Sequence, residues 1–173
     1  RWCGAGRDRK AAEKPAVIHV NGLKVAFVAF CEFPEGSQKR DSVPTIALAE
    51  AGTIARVVAA AKKNADVVVA SFHWGEEYQA KHNARQEYLA HRAVDHGAKL
   101  IIGHHPHVSE DTEVYKESFI AYSLGNFIFD QSWSKPTMQG MLLQVKLWKD
   151  GNMDIKKNTT YLNSVFQLDR ITE

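Results

Sequence analysis

The chain is short of the features that mark several common protein classes. It has only two cysteines, Cys3 and Cys31, which excludes a framework of several disulfides; one bridge is permitted and not required. Cys31 follows an apolar strand and reads as a buried small hydrophobe. No apolar run approaches the roughly 20 residues that a membrane-crossing helix needs. Neither charge is in excess. The 22 basic and 20 acidic residues leave a net charge of +2, so there is no basic footprint for nucleic acid. The opening Arg1-Trp2-Cys3-Gly4 carries neither a signal peptide nor a methionine, and the chain reads as a fragment or a processed form. A Gly-x-Ser-x-Gly elbow and a Gly-x-x-x-x-Gly-Lys phosphate loop are both missing, and neither cysteine adjoins a histidine. Nucleophilic catalysis therefore fits poorly. What remains is 173 residues, 45% hydrophobic, with no repeat and no visible domain boundary: a single domain, 1–173, with material for a sizeable core.

The pattern along the chain predicts an α/β architecture. Residues 1–15 are polar, basic and glycine-bearing, and read as an irregular lead-in. Val17–Val20, the turn Asn21-Gly22 and Lys24–Phe30 form a hairpin signal, because Asn-Gly supplies the positive φ angles of a two-residue turn. Glu32–Pro44, with Pro34, Gly36, Ser37, Arg40 and Asp41, reads as a surface loop. Helices are expected over about 53–64 and 84–96, the second stopped by Gly97. Between and after them, Val67–Phe72 and Lys99–Ile102 read as buried strands. Beyond residue 110 the pattern turns to strands alone, at Thr112–Tyr115, Phe119–Ser123, Met141–Trp148 and Met153–Tyr161, with a turn at Asp150-Gly151-Asn152. The βαβα units leading into an antiparallel run imply a layered α/β fold with a mixed sheet.

Two strand ends run directly into imidazoles. His73 follows Val67–Phe72, and His104-His105-Pro106-His107 follows Leu100-Ile-Ile-Gly103. Open α/β sheets place ligands beyond the carboxyl ends of their strands. A His-x-His pair can aim two rings at one point, and imidazole suits zinc, iron, copper and nickel, and manganese more weakly. Three histidines in four residues after a strand end favour His105 and His107 as metal ligands over a chance polar turn. Adjacent side chains do not easily face one ion, so His104 reads as lying behind the ligands or facing substrate. His73 gains its weight from its parallel placement. Glu76 and Glu77 can accept a proton or hold a ligand histidine in one tautomer, although a solvated acidic pair is the plainer reading of each. Ser123-Leu-Gly-Asn126-Phe is a third strand end, either a turn or a loop backing the cleft with Asn126 as a hydrogen-bond donor. His19, His82, His91 and His96 lack such a setting and read as structural or exposed.

These segments together resemble a known family. Gly4-Ala-Gly6-Arg7 with Pro15, Gly22-Leu-Lys-Val-Ala-Phe, His73-Trp-Gly-Glu76-Glu77-Tyr78, Gly103-His-His-Pro-His107-Val and Tyr122-Ser-Leu-Gly-Asn126-Phe occur in the order and spacing of the C-terminal part of bacterial capsule-synthesis (poly-gamma-glutamate biosynthesis) proteins, within the calcineurin-like metallophosphoesterase superfamily. The resemblance implies an incomplete αββα-type metallophosphatase sandwich. It matches His73, His105 and His107 to the superfamily's metal-ligating motifs, with a nearby histidine protonating the leaving group; the residues themselves offer His104 and Glu76 for proton transfer, and Asn126 and Glu77 facing the substrate. Divalent manganese, iron or zinc is implied, two ions in the complete domain, acting on a phosphoester or an anionic polymer. The superfamily's early carboxylate and Asn-His motifs are expected upstream of Arg1. The chain is therefore expected to pair with an upstream half or partner chain, to self-associate without it, and to be weakly active or inactive alone. A non-catalytic role in a polymer-synthesis or export complex is the alternative. An extracytoplasmic, membrane-associated place in the cell envelope is typical of the family.

Overall fold

The computed structural model describes residues 1–33 and 43–172, so most of the expected Glu32–Pro44 loop lies outside the described residues. The lead-in is more ordered than its composition suggests. It forms β1 (Ala5–Gly6) and a one-turn helix α1 (Arg9–Ala12). The Asp8 carboxylate accepts from the Ala11 amide and caps that helix. Next come β2 (Ala16–Val20), β3 (Leu23–Cys31), β4 (Thr45–Ile46), α2 (Ala51–Lys62), β5 (Val67–His73), α3 (Ala84–Asp95) and β6 (Leu100–His104). The chain finishes with β7 (Thr112–Tyr115), β8 (Ser118–Ala121), a 3₁₀ turn at Pro136–Met138, β9 (Gln139–Leu147), β10 (Met153–Leu162) and β11 (Leu168–Thr172).

Six strands form the main sheet in the order β2-β3-β5-β6-β8-β7. The four central strands run parallel, and β2 and β7 close the edges antiparallel. The β2–β3 turn is the expected one, with Asn21 and Gly22 both at positive φ. Helix α3 begins with a reciprocal capping box between Asn83 and Gln86. It ends in a Schellman arrangement: Gly97 at φ 109°, its amide on Val94 O and the Ala98 amide on Ala93 O.

Period-two alternation sorts the strand side chains to two faces. Ala26, Val28, Phe30, Val68, Ala70, Phe72, Ile101 and Ile120 pack under α2 and α3. On the other face, Val25, Val69 and Leu100 are buried against Val145, Leu147 and Met153 of the β9–β10 hairpin. The order is thus helices, mixed sheet, antiparallel three-stranded sheet. The hairpin covers the Val25–Val69–Leu100 stretch of the second face, while Phe27, Ala29, Ser71 and Ile102 stay half-buried. Cys31 is also half-buried, and both cysteines are free.

Candidate functional site

Parallel register brings the strand ends level. Cys31, His73 and His104 are successive partners across β3, β5 and β6, so they share one face, the one away from the helices. The backbone ties these ends together through Glu32 N to His73 O at 2.9 Å and Trp74 N to His104 O at 3.1 Å. Beneath them Trp74 is fully buried, and its indole N–H donates to Tyr122 O at 2.9 Å. Gly103 makes that approach possible. A Cβ there would lie 1.7 Å from Tyr122 O and 2.6 Å from the Trp74 indole nitrogen.

Past the strand ends the rings gather. His73 and His105 have centroids 4.8 Å apart, and His105 and His107 are 6.2 Å apart. Phe33 leans on His105 at 4.3 Å. Desolvation and the neighbouring imidazoles of His105, His104 and His107 all push the His73 pKa down. Desolvation lowers His104, and desolvation leads the lowering of His105. These shifts favour neutral rings with a free lone pair near neutral pH. The side chains of His73, His105 and His107 therefore come together at one end of the sheet, and none of the three is buried in the helix-side core. Even so, no group of three His, Cys, Asp or Glu side chains among the described residues is arranged to hold a metal ion.

The backbone at the site is unusual. His105, His107 and Tyr78 have φ of 104°, 61° and 65°, in the region that favours glycine. Such conformations persist only where surrounding contacts enforce them, and they gather at functional sites. Here the enforcing contacts include Tyr78 N to Pro106 O at 2.8 Å and a side-chain relay behind His107.

That relay fixes one histidine. The Asn126 amide nitrogen donates to Gln131 Oε1 at 3.1 Å and to Thr137 O at 3.0 Å. With both amide hydrogens committed, Oδ1 must face His107 Nδ1, 3.0 Å away. Nδ1 is therefore the ring nitrogen that carries a proton toward Asn126, and in the neutral ring the lone pair falls on Nε2. Asn126 is thus a buried orienting group, its hydrogens turned inward instead of toward the cleft. Glu77 stands on the open side, its Oε1 3.8 Å from His107 Nε2. Glu76 is exposed on the same loop.

Gln131, Thr137 and Glu32 carry parts of the site that the sequence reading did not single out. Glu32 accepts from Gly75 N at 3.0 Å and from Arg85 Nε at 3.1 Å, which pins the His73 loop to α3. It stands just past a strand end as His73 does, so the same logic would have found it. Gln131 sits in irregular chain and Thr137 in a three-residue 3₁₀ turn, so neither has a period to flag it. The four other histidines lie elsewhere. His82 stacks on Tyr122 and meets Asp111, His91 stacks on Tyr115 and meets Glu113, His96 contacts Arg92 O, and His19 is exposed on β2.

Helices on one face of a mixed sheet and antiparallel strands on the other define a layered α/β protein with histidines at its strand ends. A solved Staphylococcus aureus structure described as a 5'-nucleotidase, in complex with alpha-ketoglutarate, shares this fold with a TM-score of 0.51, over 95% of this chain and 30% of that one, at 11% identity. The sequence pattern of the bacterial capsule synthesis protein family PGA_cap matches residues 1–131, and the chain belongs to that family. It is 40% identical over 155 residues to the capsule biosynthesis protein CapA of Bacillus anthracis, covering 87% of this chain and 38% of that protein. It is 41% identical over 150 residues to the PGA biosynthesis protein CapA of Bacillus subtilis, covering 86% of this chain and 39% of that protein. The chain therefore spans less than half the length of these relatives.

Proposed function

We propose that this chain forms the histidine-bearing part of a divalent-metal site in a capsule-synthesis protein, and that the whole protein uses the site on a phosphoester. The observation that carries the reading is the delivery of His73, His105 and His107 to one end of the sheet, with His107 locked so that Nε2 is its free nitrogen. Neutral imidazoles with free lone pairs are the form a metal takes, and zinc, iron or manganese suits such donors. A bound divalent ion would supply Lewis-acid polarisation of a phosphoryl oxygen. His73, His105 and His107 would hold it, Asn126 and Glu32 would keep the loops in place, and His104 and Glu76 would move a proton at the reacting group.

The described residues lack a ready three-donor group, so the reading needs further donors from an upstream half or a partner chain. Imidazoles alone leave a bridged pair of ions without compensating charge. This favours a second reading as well, a member of a polymer-synthesis or export complex that keeps the fold and binds an anionic polymer without cleaving it. The expected setting is the cell envelope, although no helix among the described residues is long and apolar enough to cross a membrane.

The test is metal content and phosphodiester turnover with manganese, in this chain and in a full-length relative-sized protein. Turnover is expected only in the longer protein and is expected to vanish in His105→Ala. Robust turnover by the 173-residue chain alone, lost in the same variant, would overturn the requirement for an upstream half. Metal and polymer binding without turnover in the longer protein would favour the second reading.

A further inference from the structure

We propose that the groove between the 131–139 segment and the end of β10 is a binding subsite for an acidic oligosaccharide, with one sugar ring seated on Trp133 and a carboxylate at Lys135. The subsite lies outside the strand-end histidines, and binding there does not depend on a metal.

The groove has a volume of about 590 Å³, and its walls carry Trp133, Tyr161, Lys135, Ser134, Asn163 and Ser164. Trp133 is 64% exposed, so its indole is open to solvent. The face of an indole is electron-rich and attracts the weakly positive C–H face of a pyranose ring. The hydroxyls around the rim of such a ring need donors and acceptors beside the platform, which serine and asparagine side chains supply. Among the described residues no Asp or Glu lines the groove, and Lys135 forms no ion pair with one of them. An ammonium without a counter-charge complements a carboxylate on the ligand. A purely apolar partner would leave that ammonium and the Asn163 amide without bonds, at a cost in desolvation.

The two walls are set in advance. The hydroxyl of the fully buried Thr137 lies 2.8 Å from Gln131 O and 2.9 Å from Ser134 O, which pins the turn that carries Trp133 on both sides. Across the groove, Asn163 Oδ1 accepts from Val165 N and Gln167 N, both at 3.0 Å. Its amide hydrogens are the part left to donate. Strand β10 shifts register against β11 between Tyr161 and Leu162, the kind of irregularity that re-aims a side chain. The Arg170 guanidinium lies over the Tyr161 ring at 4.2 Å and holds it in place. Side chains ordered by the fold need no ordering by the ligand, which favours affinity. Trp133 also meets Tyr78 edge-on at 5.9 Å, and Tyr78 stacks on His107 at 6.0 Å. A row of rings thus joins the groove to the strand-end site.

The experiment titrates the full 173-residue chain with a hyaluronan tetrasaccharide, in which glucuronate and N-acetylglucosamine alternate, read by calorimetry and by nitrogen-15 NMR of the four indoles. The Trp133 indole signal is expected to shift and that of the buried Trp74 to stay. Trp133→Ala is expected to weaken binding by about tenfold or more. Lys135→Gln is expected to weaken it by about threefold, with the difference shrinking in high salt. Trp148→Ala, which removes another exposed indole, should bind like wild type. An unchanged amide spectrum away from the groove will show that each variant is folded. His105→Ala should also bind like wild type, which separates this outcome from the fate of the metal-site reading. A silent Trp133 indole, or binding untouched by Trp133→Ala, overturns the proposal. Equal affinity for neutral N-acetylated chitotetraose overturns the acidic class. A glutamate tetrapeptide that shifts the same indole and displaces the tetrasaccharide would assign the groove to a peptide, and the proposal falls.

Discussion

His105 adopts φ of 104°, a conformation that costs any side-chain-bearing residue of order 1–3 kcal/mol. Glycine would relieve it, at some cost in unfolded-state entropy. His105→Gly is therefore expected to raise stability by about 1 kcal/mol while weakening metal binding, which thermal melts and zinc titration together would show. A stability loss would mean that the His105 ring packing on Phe33 and His73 outweighs the backbone strain. Glu110 presents a different liability. It is 4% exposed, takes one hydrogen bond from Gln86 at 2.7 Å, and leaves Oε1 without a partner. Desolvation raises its pKa to about 7. An unfolded glutamate titrates near ~4.3, so the folded chain holds this proton more tightly. Its contribution is full below the unfolded value and is lost as pH rises through about 7. The difference in unfolding free energy between wild type and Glu110→Gln should accordingly shift in favour of the variant between pH 5 and 8, by on the order of 2 kcal/mol. A pH-independent difference would show that Glu110 titrates normally.

At the scale of elements, the site depends on how closely β6 approaches β8 and the segment that follows it. Gly103 has no space for a Cβ against Tyr122 O, which is backbone and cannot swing aside. Gly103→Ala should cost more than about 3 kcal/mol and should disturb the His104–His107 signals first, as amide exchange would reveal. Asn83→Ala removes the α3 capping box and should cost about 1 kcal/mol, with little effect on the histidine rings. The elements themselves were largely readable. The β-branched runs at 67–72 and 99–102, the Asn21-Gly22 turn and the Gly97 stop each follow from local chemistry, and the level histidines follow from the parallel strands. Short or unpatterned pieces were not readable. Helix α1 is one turn set by the Asp8 cap, β4 has two residues, and β11 is exposed along its whole length and lacks a buried face. The Asn126–Gln131–Thr137 relay leaves no sequence period because its partners lie 5 and 11 residues on from Asn126, one in irregular chain and one in a short 3₁₀ turn.

Across the whole molecule, the sheet face turned away from the helices is only partly covered. The β9–β10 hairpin packs on part of that face, and the largest exposed side chains include Phe127, Ile128, Phe129 and Trp133, at 42–64% exposure on the loop beside His107. Exposed apolar surface of this kind is sticky. Concentration-dependent self-association is expected in light scattering at micromolar chain and should fall in Phe127→Ser/Ile128→Ser; a stable monomer would show that the chain is self-sufficient. The same loop bears on where the working unit ends. The family pattern stops at residue 131, but the Asn126 amide is held by Thr137 O, Gly125 bridges to Gly140, and Met141 N reaches Leu124 O at 2.7 Å. A chain cut at residue 131 would keep every histidine and every recognisable motif. It would nevertheless leave Asn126 free to turn over and His107 free to exchange tautomers, so recognisability and competence have different boundaries in this protein.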